Sequence, residues 1–525
     1  MFRPHRFLPA IAAACAAALL LTSCGGAESG NVASAAGADA GDPVAGGTLR
    51  TIQMGEPRSL DPAALSNTWA HQPVLGNALY GTLMINNLDT LDIEYKMATD
   101  FATTDGGATF DLVLRPGLTF TDGTPLDAAA VKFNWDRLRD PALGSTAIRQ
   151  AAQVASSEVV DPTTLRIALA APNPHFPQGM LTTSMNWIAS PAALQKGAAE
   201  FDREPVGAGP FSLENWVRGD SIDLVKNPDF WDAPKPYLDK LTVRTVADNS
   251  QRFNMISTGG ADLSLEASWG TLAKADAAGI PAEVVPAGGG QIMIMNSARA
   301  PFDDVRARRA VSLAADLDAL NSVVFNGEGE IPETLFPEGS PYFADIPLAT
   351  SDKETAQQLF DELAAEGKPV SFTFMSYPTQ ETKAAAESLQ AQLGAFDNVE
   401  VKVEVVDYAA ATARAGSRDF DMVISSAITQ DPDYALWTAF HGDSPGNFSG
   451  LDDPELNDAL DAGRVAEGAD ERKAAYETAQ KRLVDLVPGI WYTKAAPAVV
   501  YNENVHGVRM FTLGSPMPEE MWMTN

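Results

Sequence analysis

The chain has 525 residues, and its 69 acidic against 37 basic side chains give a formal net charge of −32 at pH 7. So much negative charge repels nucleic acid and anionic lipid, so no nucleic-acid partner is expected. The two cysteines are too few for a disulfide scaffold. A chain of this length can form two or three sub-domains with cores of their own.

The N-terminus has the pattern of an export signal. Two arginines precede an apolar run over residues 7–21, which is shorter than a membrane span. The run ends in Leu-Thr-Ser-Cys, which matches the lipobox of bacterial lipoproteins. We therefore expect residues 1–23 to be removed as a signal peptide and Cys24 to carry lipid. The protein would then be exported and anchored to the outer face of the cytoplasmic membrane, or be periplasmic.

A tether is expected to follow the lipid. Residues 24–46 are rich in Gly, Ala and Ser and almost lack large apolar side chains. Such a segment cannot bury enough surface to order itself. The folded part would therefore begin near residue 47.

Strand patterns dominate residues 47–286. Apolar and polar residues alternate with a period of two in several segments, and Pro-Gly and Asp-Gly pairs between them predict turns. The predicted strands are 48–52, 109–115, 164–169 and 240–244.

From about residue 291 onward, strands and helices alternate. A capping box at residues 351–354, with Ser351 as the N-cap, predicts a helix that Gly367 ends. The further predicted elements are strands 370–375, 399–406 and 420–425 and helices 380–393 and 470–486. This order predicts right-handed crossovers and a largely parallel sheet with helices on both faces.

Five short segments carry a family resemblance. They are GGTL with SLDP (46–49 and 59–62), LRPGLTFTDGTPL (114–126), VGAGPF (206–211), NPDFW (227–231) and PFDDVR (301–306). In this order the chain resembles the extracellular solute-binding proteins of the dipeptide, oligopeptide and nickel class, family 5. Gly207 and Gly209 also predict a place where two backbones pass close to each other.

The resemblance implies an α/β, two-lobed fold of the periplasmic-binding-protein type (type II). Lobe I would comprise residues 47–85, 203–290 and 496–525, with an extra sub-domain of residues 86–202. Residues 291–495 would form lobe II. Such a protein captures a small molecule or peptide between its lobes and delivers it to the permease and ATPase subunits of an ABC importer. A monomer without cofactor, metal or enzymatic activity is expected.

The ligand class stays open. Peptide-binding members carry a Gly-Trp-x-x-Asp segment before a Pro turn, and its carboxylate pairs with the free amine of the peptide. If the turn is Asp431-Pro432-Asp433, Ile428 takes the place of that acid and Ser425 that of the tryptophan. Either Asp431 or Asp433 then holds the amine, or the ligand has no free amine there. A sugar oligomer, a modified peptide, a metal chelate or another polar metabolite are the alternatives to a peptide.

Seven residues are candidates for the ligand site because they bring aromatic, acidic or amide groups to the expected cleft. Core packing is the alternative for the aromatic residues, helix capping for the acids and a backbone contact for the asparagine. The candidates are Trp69, His71, Asn296, Asp431, Asp433, Tyr434 and Trp437.

Other classes of function are weaker. Residues 442–446, GDSPG, match the G-x-S-x-G pattern of serine hydrolases around Ser444. However, Pro445 has no backbone N–H for an oxyanion hole, and His506 is the only histidine further along. The histidines have no helical spacing, so a zinc site is not predicted. A surface chaperone that binds extended chains is the third class.

Overall fold

The computed structural model describes residues 41–348 and 350–524. The predicted signal peptide, Cys24 and the tether up to residue 40 lie outside the described residues.

The largest sheet has seven strands and is mixed. The strand Thr48–Gln53 lies in it between two parallel neighbours, and its buried side chains alternate at the start as the sequence predicts. Helices Asn249–Ser257 and Trp269–Ala277 contribute to the core on one face. In spatial order the strands are Ala282–Val284, Ala498–Tyr501, Leu263–Glu266, Thr48–Gln53, Lys240–Thr245, Ser221–Lys226 and Phe211–Val217.

A four-stranded antiparallel sheet shares a continuous core with the seven-stranded sheet. Its centre is a cluster of aromatic rings, in which Phe101 contacts Phe110 at 5.1 Å and Trp135 at 6.0 Å between ring centroids. Helix Ala128–Arg137 packs beside it. The strands are Ala98–Ala102, Thr109–Leu114, Thr164–Leu169 and Val154–Asp161. We call the two sheets and their helices the first body.

A five-stranded sheet forms the second body with its own helices and cores. The strands in spatial order are Val399–Val405, Val370–Ser376, Met422–Thr429, Gly288–Met295 and Gly489–Thr493. The prediction of a largely parallel sheet is wrong for Gly288–Met295, which runs antiparallel to both of its neighbours. Gly489–Thr493 pairs with this reversed strand and so runs in the same direction as the first three strands. Helical crossovers link only the first three strands, which are parallel. The strands Gly288–Met295 and Gly489–Thr493 connect to the first body instead, so no helical crossover requires them to be parallel to their neighbours.

The remaining helices and short strands pack on these sheets, and those before residue 285 and after residue 497 belong to the first body, whereas those between 288 and 493 belong to the second. The helices are Pro62–Ala64, Pro73–Tyr80, Pro141–Leu143, Ile148–Ala152, Phe176–Leu181, Ser184–Asn186, Pro191–Leu194, Ala198–Phe201, Val305–Ala314, Leu317–Phe325, Lys353–Ala365, Gln380–Leu393, Tyr408–Gly416, Pro432–Phe440, Pro454–Val465 and Ala469–Leu486. The short strand pairs are Met84–Asn86 with Ile93–Tyr95, Val505–His506 with Trp522–Met523, and Met510–Phe511 with Ser515–Pro516. In the described part of the chain, no helix is long and apolar enough to cross a membrane.

Two local predictions need correction. The N-cap of helix Lys353–Ala365 is Asp352, whose carboxylate accepts from the backbone N–H of Thr355 at 3.0 Å. Ser351, the predicted cap, instead donates to the Leu313 carbonyl at 3.2 Å. The strand predicted at 420–425 begins two residues later and extends to Thr429. This extension places four further residues on the wall described below.

Candidate functional site

A cavity of about 400 Å³ lies between the first and second bodies. This volume falls within the range of small-molecule sites. On one side it is lined by residues from loops, helices and a short strand of the first body, including Trp69, Asn86, Arg149, Gln178 and Thr512. On the other side it is lined by the end of strand Met422–Thr429 and by helix Pro432–Phe440.

The strand in this wall has a free edge. Strand Met422–Thr429 pairs along its whole length with Gly288–Met295 on one side. On its other side it pairs with Val370–Ser376 only at Met422 and Val423. From Ile424 to Thr429 the strand therefore has no second strand partner within the residues described. Backbone N–H and C=O groups at such an edge are available to another extended chain.

Asp431 begins the helix that follows this strand. Its carboxylate accepts from the backbone N–H of Asp433 at 3.0 Å and so caps the helix. Arg472 donates to both carboxylate oxygens, at 2.6 and 2.9 Å. The hydroxyl of Tyr342 lies 3.4 Å from Oδ2. A carboxylate has about four acceptor positions, so Asp431 is saturated by its protein neighbours.

The electrostatics agree with this pairing. Burial by itself would raise the pKa of Asp431, but the charge and the hydrogen bonds of Arg472 outweigh it and lower that pKa. Arg472 is only 5% exposed in its side chain and lies near the rings of Tyr342 and Tyr476, at 5.3 and 5.4 Å from their centroids. The pair is therefore a neutral, buried unit beneath the cavity wall.

Asp433 faces away from the cavity and joins the two bodies. Arg464 of the second body donates to its Oδ1 at 2.8 Å, and Asn173 of the first body donates to its Oδ2 at 2.9 Å. A second cross-body contact lies nearby, where Nε2 of His175 is 2.7 Å from the carbonyl oxygen of Ala466. These contacts hold the bodies against each other beside the cavity.

Arg149 is the charged residue of the first-body wall. It lies in the short helix Ile148–Ala152, is exposed, and makes no salt bridge or side-chain hydrogen bond with any residue in 41–348 or 350–524. Its Nη1 lies 3.0 Å from the position that a Cβ atom would occupy at Gly446. The guanidinium thus reaches from the first body to a loop of the second.

Three of the seven candidates from the sequence line the cavity, namely Trp69, Asp431 and Tyr434. Both positions of the shifted peptide motif, Ser425 and Ile428, also lie in its wall. Burial raises the pKa of Tyr434, and the charge of Arg149 opposes that shift. Ligand contact by these side chains stays a prediction.

Four candidates lie outside the cavity wall. The Nδ1 atom of His71 is 2.9 Å from the Thr68 hydroxyl. Asn296 is buried, and its amide donates to the carbonyls of Arg418 and Phe420 at 2.9 Å each. The indole of Trp437 donates to Asp461 at 3.0 Å and stacks on His441. Asp433 is the fourth and has the contacts given above.

Apart from Trp69, sequence reasoning missed the residues of the first-body wall. Arg149, Gln178 and Thr512 come from three separated segments, and none stands in a recognisable motif. Arg472 was missed as well, although the helix that carries it was predicted. Only the fold shows that it reaches Asp431, 41 residues earlier in the chain.

Ser444 lies in a loop, and its hydroxyl is held by backbone groups. The side chain is buried, and its hydroxyl donates to the Thr438 carbonyl at 2.7 Å. It also accepts from the N–H of Gly446 at 3.1 Å. His506 lies elsewhere, against Trp522 and Thr524. Among the described residues, no three His, Cys, Asp or Glu side chains are grouped to hold a metal ion.

Comparisons with known proteins agree on the type of protein. The family model for bacterial extracellular solute-binding proteins, family 5 Middle, matches residues 92–447. The glutathione-binding protein GsiB of Escherichia coli (strain K12) is 31% identical over 321 residues, which are 60% of this chain and 62% of GsiB. The match therefore spans less than two thirds of the length of this curated relative.

Solved structures share the fold. AgaA from A. tumefaciens R10, solved with agropinic acid, has a TM-score of 0.76 and 23% identity, covering 91% of this chain and 99% of its own. DppA from Helicobacter pylori, solved with the peptide STSA, has a TM-score of 0.75 and 24% identity, with coverages of 91% and 98%. Both are periplasmic binding proteins, so the chain has their two-lobed α/β fold.

Proposed function

The chain belongs to the bacterial extracellular solute-binding proteins of family 5, and we propose that it captures a peptide or peptide-like solute in the cavity between its two bodies. The observation that carries this proposal is the free strand edge from Ile424 to Thr429 along the cavity wall. An extended ligand can pair its backbone with such an edge, while its side chains occupy the space on either side.

Closure of the two bodies would trap the ligand. The chain passes between the two large sheets through residues 285–287 and 494–497, and these connections touch where Val285 N–H donates to the Pro497 carbonyl at 2.8 Å. We place the hinge there. The lobe boundary expected from the sequence, between 290 and 291, would divide strand Gly288–Met295 of the second body. We therefore propose lobe I as 47–85, 203–287 and 494–525 with the sub-domain 86–202, and lobe II as 288–493. A ligand favours the closed form only through its higher affinity for that form.

The partners would be the permease and ATPase subunits of an ABC importer, which recognise the closed, loaded protein. We also propose that the protein acts as a monomer, exported and held at the membrane by lipid on Cys24. The Leu-Thr-Ser-Cys segment supports the lipid anchor. Metabolic labelling with a fatty acid should mark the parent protein but not a Cys24→Ser variant, and a parent protein without label would contradict the anchor.

Catalysis is not part of the proposal. The hydroxyl of Ser444 is engaged by two backbone groups, and Pro445 cannot supply the N–H that a hydrolase needs beside its nucleophile. Within the part of the chain that the structure describes, the cavity wall holds one paired acid and one arginine, which suit binding better than proton transfer.

Mass spectrometry of the purified protein tests the function. The protein is purified without added solutes, and the compounds released by mild denaturation are identified. A set of short peptides would support the proposal. A single sugar or a metal chelate would contradict peptide capture, while leaving a binding role. Glutathione, named for the E. coli relative, is the first compound to add back in a thermal-shift assay.

A further inference from the structure

The acidic side chains near the cavity are not available to an ammonium group. Asp431 is the one carboxylate among the described residues of the cavity wall, and its acceptor positions are filled by Arg472, Tyr342 and the Asp433 N–H. The side chain of Asp433 is 8% exposed and is bound by Arg464 and Asn173. A ligand amine would have to displace the buried Arg472 from Asp431, or the half-buried Arg464 from Asp433, and either displacement leaves an arginine without its partner.

Arg149, in contrast to these carboxylates, is available to a ligand. Among the described wall residues it is the cation that lacks a protein partner, so its five N–H donors are free. Its guanidinium lies at the boundary of the two bodies, close to Gly446. A planar guanidinium in a cleft binds a carboxylate through two parallel hydrogen bonds.

The wall therefore carries a net positive charge although the whole chain is strongly negative. Arg472 and Asp431 cancel each other, as do Arg464 and Asp433, and the charge of Arg149 remains. A site with this charge attracts anions. Because the rest of the surface is negative and repels anions, the attraction is confined to the cavity.

We infer that the cavity selects solutes by a carboxylate bound to Arg149 and that it needs no free amine on the ligand. The inference rests on the proposed function, since it names the class of solute for the same cavity. Peptides blocked at their amino end, and other carboxylate solutes of similar size, are then ligands. Amides of the same peptides are poor ligands.

Three forms of one tripeptide library test this inference on the full chain: free termini, N-acetylated, and C-terminal amide. Native mass spectrometry identifies the bound species, and calorimetry gives their Kd values. We expect acetylated and free peptides to bind about equally, and amides to bind about tenfold to a hundredfold more weakly, as expected for loss of hydrogen bonds to a charged group.

Variants assign the effect to Arg149. Arg149→Met should lower the affinity for free acids to that for amides, and Arg149→Lys should restore part of it, since lysine keeps the charge but not the planar geometry. Arg203→Met is the matched control, because Arg203 is exposed, pairs with Glu200 at 3.2 Å and is not part of the cavity wall.

The outcomes distinguish failure of this inference from failure of the proposed function. If acetylation abolishes binding, or if acids and amides bind alike, this inference is wrong and peptide capture stands. If no form of the library binds, the proposed peptide function fails and the inference fails with it.

Discussion

The side-chain amide of Asn173 donates a 2.9 Å hydrogen bond to the carboxylate of Asp433, and the two residues belong to different bodies. Both side chains are buried. Leu91, which precedes the four-stranded sheet in the chain, also packs into a core cluster of the second body. The bodies are thus in direct contact beside the cavity, which is the arrangement expected of a closed binding protein.

Loss of this hydrogen bond should favour the open form. Asn173→Ala removes a donor to a charged group, which is worth about 1.5–3 kcal/mol. Because separation of the bodies would break this bond, the affinity for the co-purified compound should fall about tenfold to a hundredfold. Calorimetry measures the affinity, and small-angle scattering should show a larger radius of gyration.

The control for this prediction is Asn215→Ala. Asn215 is exposed on strand Phe211–Val217 and lies outside the cavity wall. The Asn215→Ala variant should bind the co-purified compound with the affinity of the parent protein. Equal affinities for the parent and Asn173→Ala would show that the contact does not contribute to closure.

The regular elements follow from strong local patterns. Alternation predicts the strands at Thr109–Leu114 and Thr164–Leu169 to within one residue, and the structure confirms helix Gln380–Leu393 at the predicted bounds. The close approach at Gly207 is also confirmed, since a Cβ atom there would lie 2.0 Å from the Leu79 carbonyl oxygen. In each case the signal is carried by the residues of the element itself.

Fewer residues of the candidate site could be predicted from the sequence. Trp69 and Tyr434 were candidates because aromatic residues stand near an expected cleft, and both line it. Arg149 could not be found this way, because its importance comes from the lack of a side-chain partner among residues 41–348 and 350–524. The pairing of Asp431 with Arg472 is equally hidden, since no periodicity links residues from a strand end and a distant helix.

The Asp431–Arg472 pair should control stability in acid. Since the folded state lowers the pKa of Asp431, the stabilisation is present above the unfolded pKa near 4 and is lost as the pH falls through the folded pKa. Asp431→Asn should cost about 3–5 kcal/mol of unfolding free energy at pH 7, because it leaves Arg472 buried without its partner. Denaturant unfolding between pH 7 and pH 2 should show this difference shrinking below about pH 4.

An exposed ion pair is the control for this measurement. Glu477 and Lys481 lie 2.6 Å apart on a helix surface, and Glu477→Gln should change the unfolding free energy by less than about 1 kcal/mol. A cost for Asp431→Asn that stays constant down to pH 2 would contradict the assignment.

Glu519 should make the protein less stable as the pH rises. Burial raises its pKa from 4.5 to about 7, and its Oε2 has no hydrogen-bond partner among the described residues. Between these two pKa values the unfolded chain releases the proton and the folded chain keeps it, so the free energy of unfolding falls with pH. The loss is about 3 kcal/mol by pH 7. It should be absent in Glu519→Gln.

Denaturant unfolding from pH 4 to pH 8 measures this slope. Glu503→Gln is the control, because Glu503 is exposed and should leave the slope of the parent protein unchanged. Parallel pH profiles for the parent and Glu519→Gln would mean that Glu519 is ionised in the folded protein at neutral pH.

Gly446 should be required for the position of Arg149. A methyl group at this position would lie 2.8 Å from Cγ2 of Thr438, 2.9 Å from the Thr438 carbonyl oxygen and 3.0 Å from Nη1 of Arg149. Because the carbonyl belongs to a helix that cannot easily move, Gly446→Ala should displace the loop and the guanidinium together. We expect a loss of about 1–3 kcal/mol in stability, typical of overpacking, and weaker binding of carboxylate ligands.

Gly416→Ala is the matched control, since nothing lies within 4 Å of its added methyl group. Thermal unfolding and calorimetry on both variants check the prediction, and unchanged affinity in Gly446→Ala would show that the guanidinium does not need this loop.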